Sequence, residues 1–528
     1  MKKIKKPDLD KAKRYAESGD YPKAIEIFIS LLALNPKQPE ISLYLGTAYL
    51  LSNEYHKALE VLYEPLKNQP DTPLFHHAIG SALYMLEQYK DALVHFDKEI
   101  SINPYYPEAY FDKSKVLYKL KKWENALASA SIALDLDESF DDARLSRASS
   151  LNQLNRFYES YDEIKKIKDI RVMGLHYFLT LSSIYSNLGE KNDALIAINK
   201  AIEIKPDERD ALFNKAILLL RDCQFKEGWP LYEYRPCNPI NEFNANDFRN
   251  KWLMDKNDSD NLLIIKEQGV GDQILYCSLL SEFDITRINF YVETDRRLIP
   301  IFERSYSGIK FIGSKKDLGE DLIASEIPMG SLPGLTLRDI NSFKNQKNSF
   351  LKSDSIKTSL IKDKIKKSGF KICGISWKST NNEIGSNKSI ELSYLKELLQ
   401  IPNILFVNIQ YEANTLEVIN FCNQFNLKML LFDDLDIYND IDSLFSLIDA
   451  CDFVITISNI NAHIAGALGK KTYLLAPFSK GRIWYWHDGL ENSLWYPSIQ
   501  IFSQTKTGDW SVPINQIKEK IVKEIAHE

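Results

Sequence analysis

Alanine recurs at a step of 34 residues through the first half of the chain: Ala24, Ala58, Ala92, Ala126 and Ala194, with Ser160 filling the gap and Gly228 ending the series. No other feature limits the fold so sharply, because such a period means one supersecondary unit, repeated and stacked. An aromatic residue stands three positions earlier in most units, at Tyr21, Tyr55, Tyr89, Trp123, Phe157 and Phe225; Lys191 breaks that column. A second small-residue column, twelve positions ahead of the first, reads Ala12, Gly46, Gly80, Ser114, Ala148, Ser182 and Ala216. Two such columns per unit mark two close helix crossings, since bulky side chains would hold the axes beyond about 8–10 Å. Pro36, Pro70, Pro104 and Pro206 close four units, where the ring clashes with the preceding turn. The pattern predicts a solenoid of seven helix pairs over residues 8 to about 235.

These columns closely resemble the tetratricopeptide repeat. The resemblance implies a concave groove that holds a protein or an extended peptide, with Lys113 and Asn214 as candidates to line it. An exposed polar helix face accounts equally for both residues. A rigid spacer or dimer scaffold is the plainer role for the whole solenoid, and oligomer formation stays open.

The seventh unit runs into "FKEGWPLYEYRPCNPINEFNANDF", where Trp229, Tyr232 and Tyr234 follow Gly228 at helical spacing before Pro236 and Pro239 stop the helix. An aromatic cluster here caps the open end of a solenoid, so the segment reads as a packed joint rather than a flexible linker. The domain limits expected are 1–238 for the solenoid, 239–368 for a first lobe and 369–528 for a second.

The second half is α/β. Short β-rich runs ("LLIIK", "INFYVE", "IKFIG", "KICGISW", "ILFVNI", "KMLLF", "FVITIS", "TYLLAP") alternate with helical segments, which implies parallel sheets joined by right-handed crossovers. A polar stretch at 340–369 separates the third run from the fourth and so divides the half into two lobes. Ligands of open α/β sheets bind outside the carboxyl ends of the strands.

Composition narrows the function. Hydrophobic residues make up 44% of the 528 positions, enough for large cores, and the net charge of −6 lacks the basic excess of most nucleic-acid proteins. Six widely spaced cysteines form no C-x-x-C pair, so neither a zinc ribbon nor a disulfide framework is expected, and reduced thiols fit the cytoplasm. The N-terminus has no apolar h-region and no run of 18 apolar residues occurs, so neither a signal peptide nor a membrane span is expected.

Two stretches carry the candidate chemistry. "EQGVGDQI" has Gly269, Gly271 and Asp272 at a strand-to-helix turn, but lacks the third glycine of a dinucleotide fingerprint and the G-K-[ST] of a P-loop. Its backbone N–H groups favour a negative group. Asp272 fits either a plain helix N-terminal residue or a general base. "DFVITISNINAHIAGALGKKTYLLAP" ends a buried strand at Ile457, offers Ser458 or Asn459 as an N-cap, and places His463 in the first helical turn. His463 fits a core or capping histidine, or a contact to a diphosphate. Trp484, Trp486 and Trp495 suit core packing or stacking on a base or sugar.

Together "EQGVGDQI", "GISWK", "VNIQYE", "DIDSLFSLIDACDFVITISNINAHIAGALGK", "WYWH", "LWYPSIQIFSQTKTGDW" and the "GWPLYEYR" junction resemble bacterial tetratricopeptide-glycosyltransferase proteins, whose C-terminal half is similar to ADP-heptose heptosyltransferases. The domain order is similar to that of O-linked N-acetylglucosamine transferases. This resemblance implies a GT-B pair of Rossmann-like lobes, a nucleotide-sugar donor, inversion and no metal or other cofactor. It implies Asp272 as base and Lys378 or Lys388 on the donor phosphate, with Gln410, Ser458, Asn459 and His463 near the donor. Ser458-Asn459 departs from the Asp-Thr of heptosyltransferases, which speaks against heptose as the sugar. The D-x-D at Asp434 and Asp436 reads as a solvated loop. The alternative is a non-catalytic scaffold that binds partners and carries a degenerate nucleotide-binding half.

Overall fold

A computed structural model of the chain describes residues 8–240, 261–283, 289–318, 325–365, 370–381, 384–411, 415–432 and 435–527. It divides into two compact units, Met1–Leu188 and Gly189–Glu528. The sequence phase ends the solenoid at 238; by compactness the helices Lys191–Ile204, Arg209–Arg221 and Phe225–Tyr232 go with the α/β half.

Fourteen helices run from Leu9 to Tyr232, the number that seven repeat units predict. Ala12, Ala24, Ala58, Ala92, Ser114, Ala126, Ala148 and Ser160 are all fully buried, so both small columns mark helix contacts. A methyl group added at Gly46 would stand 2.5 Å from Leu62, and one at Gly80 would stand 2.9 Å from Phe96. Ser160 keeps the alanine column by donating its hydroxyl to the Ala148 carbonyl at 2.6 Å. A third column was invisible in residue types. Gly19, Asn53, Glu87, Lys121, Asn155, Gly189 and Cys223 stand 34 residues apart, with φ between 59° and 85°. Each follows the first helix of its unit, and at every one but Gly189 the N–H of the next residue reaches back five positions, as from Glu54 to Tyr49 at 2.8 Å and from Gln88 to Leu83 at 2.9 Å. Of the suggested groove residues, Lys113 is engaged with Asp97 at 2.6 Å, and Asn214 is exposed.

The α/β half holds two parallel sheets. The first contains β1 (Asn261–Ile265), β2 (Asn289–Glu293), β3 (Ile309–Ile312) and β4 (Ser325–Pro328) in the order β3-β2-β1-β4. The second contains β5 (Lys371–Ile375), β6 (Ile404–Asn408), β7 (Met429–Leu430), β8 (Phe453–Ile457), β9 (Lys471–Ala476) and β10 (Ile499–Ser503) in the order β10-β9-β8-β5-β6-β7. β8 is buried along its whole length and reads as one apolar run, as expected of a strand covered on both faces. β4 and β10 are additional to the eight strands read from the sequence. The polar stretch 340–369 is not a spacer throughout: its helix Ser355–Ile365 buries Ile361 and Ile365, and Lys357 approaches Asp442 at 3.3 Å and Asp440 at 3.4 Å.

The aromatic joint is packed as expected, save for Tyr234, which is exposed. Trp229 and Tyr232 share a core with Ile264, Ile274 and Trp484. Residues 241–248 of that joint lie outside the described residues, as does Asp434 of the D-x-D. Asp436 is exposed and accepts the Asn439 N–H at 3.0 Å. Among the described residues no helix is long and apolar enough to cross a membrane.

Candidate functional site

In both sheets the strand order reverses beside the first strand. β1 lies between β2 and β4, and β5 lies between β6 and β8. Loops diverge at such a point and leave a crevice at the carboxyl ends. A cavity of about 320 Å³ opens there, lined by Gly271, Asp272 and Arg297 from the first lobe and by Lys388, Asn459 and His463, among others, from the second.

The "EQGVGD" loop brings Asp272 to the cavity. Gln268 adopts the left-handed region at φ 60°, a conformation that costs a side-chain-bearing residue about 1–2 kcal/mol. Its amide is pinned by the Tyr232 hydroxyl at 2.9 Å. Gly269 caps the helix Val270–Cys277, and its N–H donates to Asp272 Oδ2 at 3.1 Å. Gly271 has no room for a side chain, since a Cβ there would stand 2.7 Å from His463 Cδ2. Burial pushes the Asp272 carboxyl from 3.8 up to about 6, against the pull of the Gly269 N–H and Lys388. Asp272 thus combines its helix N-terminal position with the properties of a base near neutrality.

Opposite stands Lys388, at the end of the short helix Gly385–Lys388 and only 5% exposed. Burial draws its ammonium from 10.5 down to about 8, while Asp272 works the other way. Lys378, the first-named candidate for the same task, is exposed and does not line the cavity. Its backbone rather than its side chain is used: the Lys378 N–H donates to Gln410 Oε1 at 2.8 Å, and its carbonyl accepts from Asn459 Nδ2 at 3.4 Å. Gln410 is likewise spent on structure. It accepts the Trp377 N–H at 3.1 Å, donates to the Tyr411 carbonyl at 2.8 Å and lies off the cavity wall.

Ser458 and Asn459 reach the cavity at the head of the helix Ile460–Ala467, but their side chains face inward. Ser458 accepts the Trp486 indole N–H at 2.8 Å. Asn459 caps the helix through the Asn461 N–H at 3.0 Å and joins two strand tips through Thr456 at 3.1 Å and Ser376 at 3.2 Å. What the pair presents to the cavity is therefore the N-terminal end of the helix. His463 is 2% exposed and neutral; burial and the Lys388 charge lower it from 6.5 to about 3. Of the two readings, the core histidine fits its burial, and it lines the cavity as well. Its nitrogens meet Tyr496 at 3.0 Å and Tyr485 at 3.2 Å. Trp484, Trp486 and Trp495 are core residues, at most 4% exposed.

Three features escaped the sequence reading. Tyr485, between the two tryptophans of "WYWH", lines the same cavity as Asp272. Arg297 follows β2 at its carboxyl end, a position that itself was a signal, and is held by Asp295 through two contacts of 2.9 Å. Arg235, the last residue of "GWPLYEYR", is fully buried and forks onto Glu267 with two bonds of 2.7 Å. Glu267 also accepts the Gly330 N–H. This pair ties the end of the last repeat helix to β1 and β4, two residues ahead of Gly269.

Comparison with known proteins separates the two halves. Tetratricopeptide repeat models match residues 15–81 and 175–208. Protein FlbA of Caulobacter vibrioides is 23% identical over 438 residues, covering 70% of this chain and 71% of its own length. A crystal structure of YrrB, a TPR protein with an unusual peptide-binding site, aligns at 21% identity and TM-score 0.30, over 36% of this chain and 97% of that one. A tetratricopeptide repeat protein from Parabacteroides merdae aligns at 16% identity and TM-score 0.36, over 43% of this chain and 89% of that one. The N-terminal part of the chain is thus built of tetratricopeptide repeats, which point to protein binding, and a half with parallel sheets and flanking helices follows it.

Proposed function

We propose that the α/β half is an inverting glycosyltransferase of the GT-B type that uses a nucleotide-sugar donor and needs no metal, and that the repeats recruit a protein acceptor. One observation carries the reading: across a single crevice at the carboxyl ends of both sheets, the first lobe presents Asp272 while the second presents Lys388 and the N-terminal end of the helix Ile460–Ala467. A carboxylate near 6 takes the proton of an acceptor hydroxyl at neutral pH, a contribution of about 100- to 10,000-fold. The hydroxyl oxygen bonds to the anomeric carbon as the bond to the diphosphate breaks, and the electron pair leaves on phosphate. Lys388 and the helix end meet that developing charge. Attack from the face opposite the leaving group inverts the configuration.

Thermal shifts against UDP-, GDP- and ADP-sugars, followed by a transfer assay, test this. A donor at 100 times its Kd adds about 2.7 kcal/mol of stability. Transfer is expected to vanish in Asp272→Asn without loss of fold. Undiminished transfer by that variant removes the mechanism, and donor binding without turnover in the native chain leaves the scaffold reading.

A further inference from the structure

Beyond Tyr232, four side-chain-bearing residues among those described hold a positive φ: Gln268, Asn403, Asn426 and His487. Asparagine enters that region more readily than most residues. Gln268 has no such preference, and His487, at φ 34° and ψ 155°, lies outside the left-handed helical region altogether. Conformations of this kind persist only where the surroundings hold them, and they gather at ligand sites. Both residues border the crevice along the chain. Gln268 stands just ahead of Val270, Gly271 and Asp272, and His487 follows Tyr485, all four of which line the cavity. Both are held by the same element, the seventh repeat.

The bonds fall into two sets. On the Asp272 side, Gln268 Nε2 donates to the Tyr232 hydroxyl at 2.9 Å, and Arg235 forks onto the preceding residue, Glu267, with two bonds of 2.7 Å. On the Tyr485 side, His487 Nδ1 donates to the Leu220 carbonyl at 2.8 Å, and the Asp488 N–H donates to the Arg221 carbonyl at 2.8 Å. The last four carbonyls of a helix lack partners in a following turn; the segment after β9 supplies donors to two of those that end the helix Arg209–Arg221. Arg221 Nη2 returns a bond to Asp488 Oδ1 at 3.0 Å. Arg482, 8% exposed, bonds the Trp486 carbonyl at 3.0 Å and Ser503 of β10 at 2.7 Å, and its Nε stands 3.2 Å from the same Asp488 oxygen. The shape of the segment and its tie to the repeat thus share one carboxylate. Between the two sets, Phe225 meets the His487 ring at 5.4 Å, while Trp229 and Tyr232 meet the Trp484 ring at 5.3 and 5.4 Å.

The aromatic core alone would give cohesion. Directed bonds that end on two strained residues specify position, and at a cost in stability. We propose that the seventh repeat belongs to the ligand site as a bracket: it fixes the Asp272 loop and the Tyr485 segment relative to each other. Arg221, Tyr232 and Arg235 are positioning residues, since none of them lines the cavity. What the ligand is rests on the glycosyltransferase reading; the bracket itself does not.

Hydrogen exchange of the full chain without ligand reads the bracket. Arg221→Ala is expected to speed exchange in residues 477–488 by about tenfold, and Tyr232→Phe that in residues 262–277 by about threefold, while β8 keeps its native rate. Arg221→Lys, which keeps a cation beside Asp488, is expected to restore most of the protection. Calorimetric titration with UDP, GDP and ADP reads the consequence. Whichever diphosphate the native chain binds is expected to bind about threefold more weakly to Arg221→Ala and Tyr232→Phe, and with near-native affinity to Arg221→Lys. Unchanged exchange at both segments, acceleration spread evenly over the α/β half with β8 included, or native affinity in the loosened variants each overturns the bracket. Absence of binding by the native chain removes the donor reading instead, and the exchange rates then decide the bracket alone.

Discussion

The repeat unit and the α/β half treat buried polarity in opposite ways. In the repeats, buried polar side chains, the charged ones included, are matched to their neighbours: Ser114 with Ser146 at 2.7 Å, Ser149 with Thr180 at 3.2 Å, Ser160 with a carbonyl, Glu99 with the Leu74 N–H at 2.8 Å and Glu163 with Lys166 at 2.7 Å. At the crevice of the α/β half, a carboxylate and an ammonium line one cavity without a direct ion pair among the described residues, and burial displaces both from their ordinary values. In the repeats the buried charges meet opposite charges or backbone N–H groups directly, whereas at the crevice the two opposite charges share a cavity and are displaced by burial, the pattern found most often at ligand sites.

The largest effect expected is at the joint. Arg235→Ala leaves Glu267 buried without its cation, which costs about 3–5 kcal/mol. Hydrogen exchange read separately in the two units is expected to show the loss in residues 189–528 alone; a loss below about 1 kcal/mol would break the contrast. Next comes the repeat packing, where Gly80→Leu must push into the Phe96 ring and costs about 1–3 kcal/mol by overpacking, measured as a lower urea midpoint of the first unit.

Asp272→Asn works the other way. The folded carboxyl, at about 6, binds its proton more tightly than the unfolded one at 3.8, so stability is highest below pH 4 and falls as pH rises toward 6. The variant lacks that loss and gains up to about 3 kcal/mol above pH 6, with no gain at pH 3.5. Chemical denaturation at the two pH values checks the sign. Smaller still, Glu87→Gly relieves a left-handed residue at φ 60° and gains roughly 0.5–1 kcal/mol, part of the relief being lost to the freedom of unfolded glycine. Removing the exposed Lys57–Glu54 pair changes stability by less than about 0.5 kcal/mol.

The repeat was legible because its signal is local and multiplied seven times: the small column survives Ser160 in place of alanine, and the aromatic column survives Lys191. The left-handed column shows the limit, since Glu87, Lys121 and Cys223 hold that conformation through helix-ending hydrogen bonds rather than through their own preference. In the α/β half the strands with continuous apolar runs were plain. β4, four residues with a proline, was not. Asp272 and His463 were found from their places at strand ends, yet the neutral state of His463 comes from burial and the Lys388 charge, and its ring partners Tyr485 and Tyr496 lie more than 20 residues away in the chain. The choice of Lys388 over Lys378 turns on which way the loop after β5 folds, and no spacing in "GISWKSTNNEIGSNK" encodes that.

The account stands on one claim, that the crevice binds a sugar diphosphate between Lys388 and the helix end while Asp272 faces the acceptor. Calorimetric titration of UDP, GDP and ADP into the native chain and its Lys388→Ala, Lys378→Ala and Asp272→Asn variants tests it most directly. One diphosphate is expected to bind, to weaken at least tenfold in Lys388→Ala, which corresponds to about 1.4 kcal/mol, and to keep its affinity in the other two. No binding by any of the three, or equal binding by the Lys388→Ala variant, contradicts the claim.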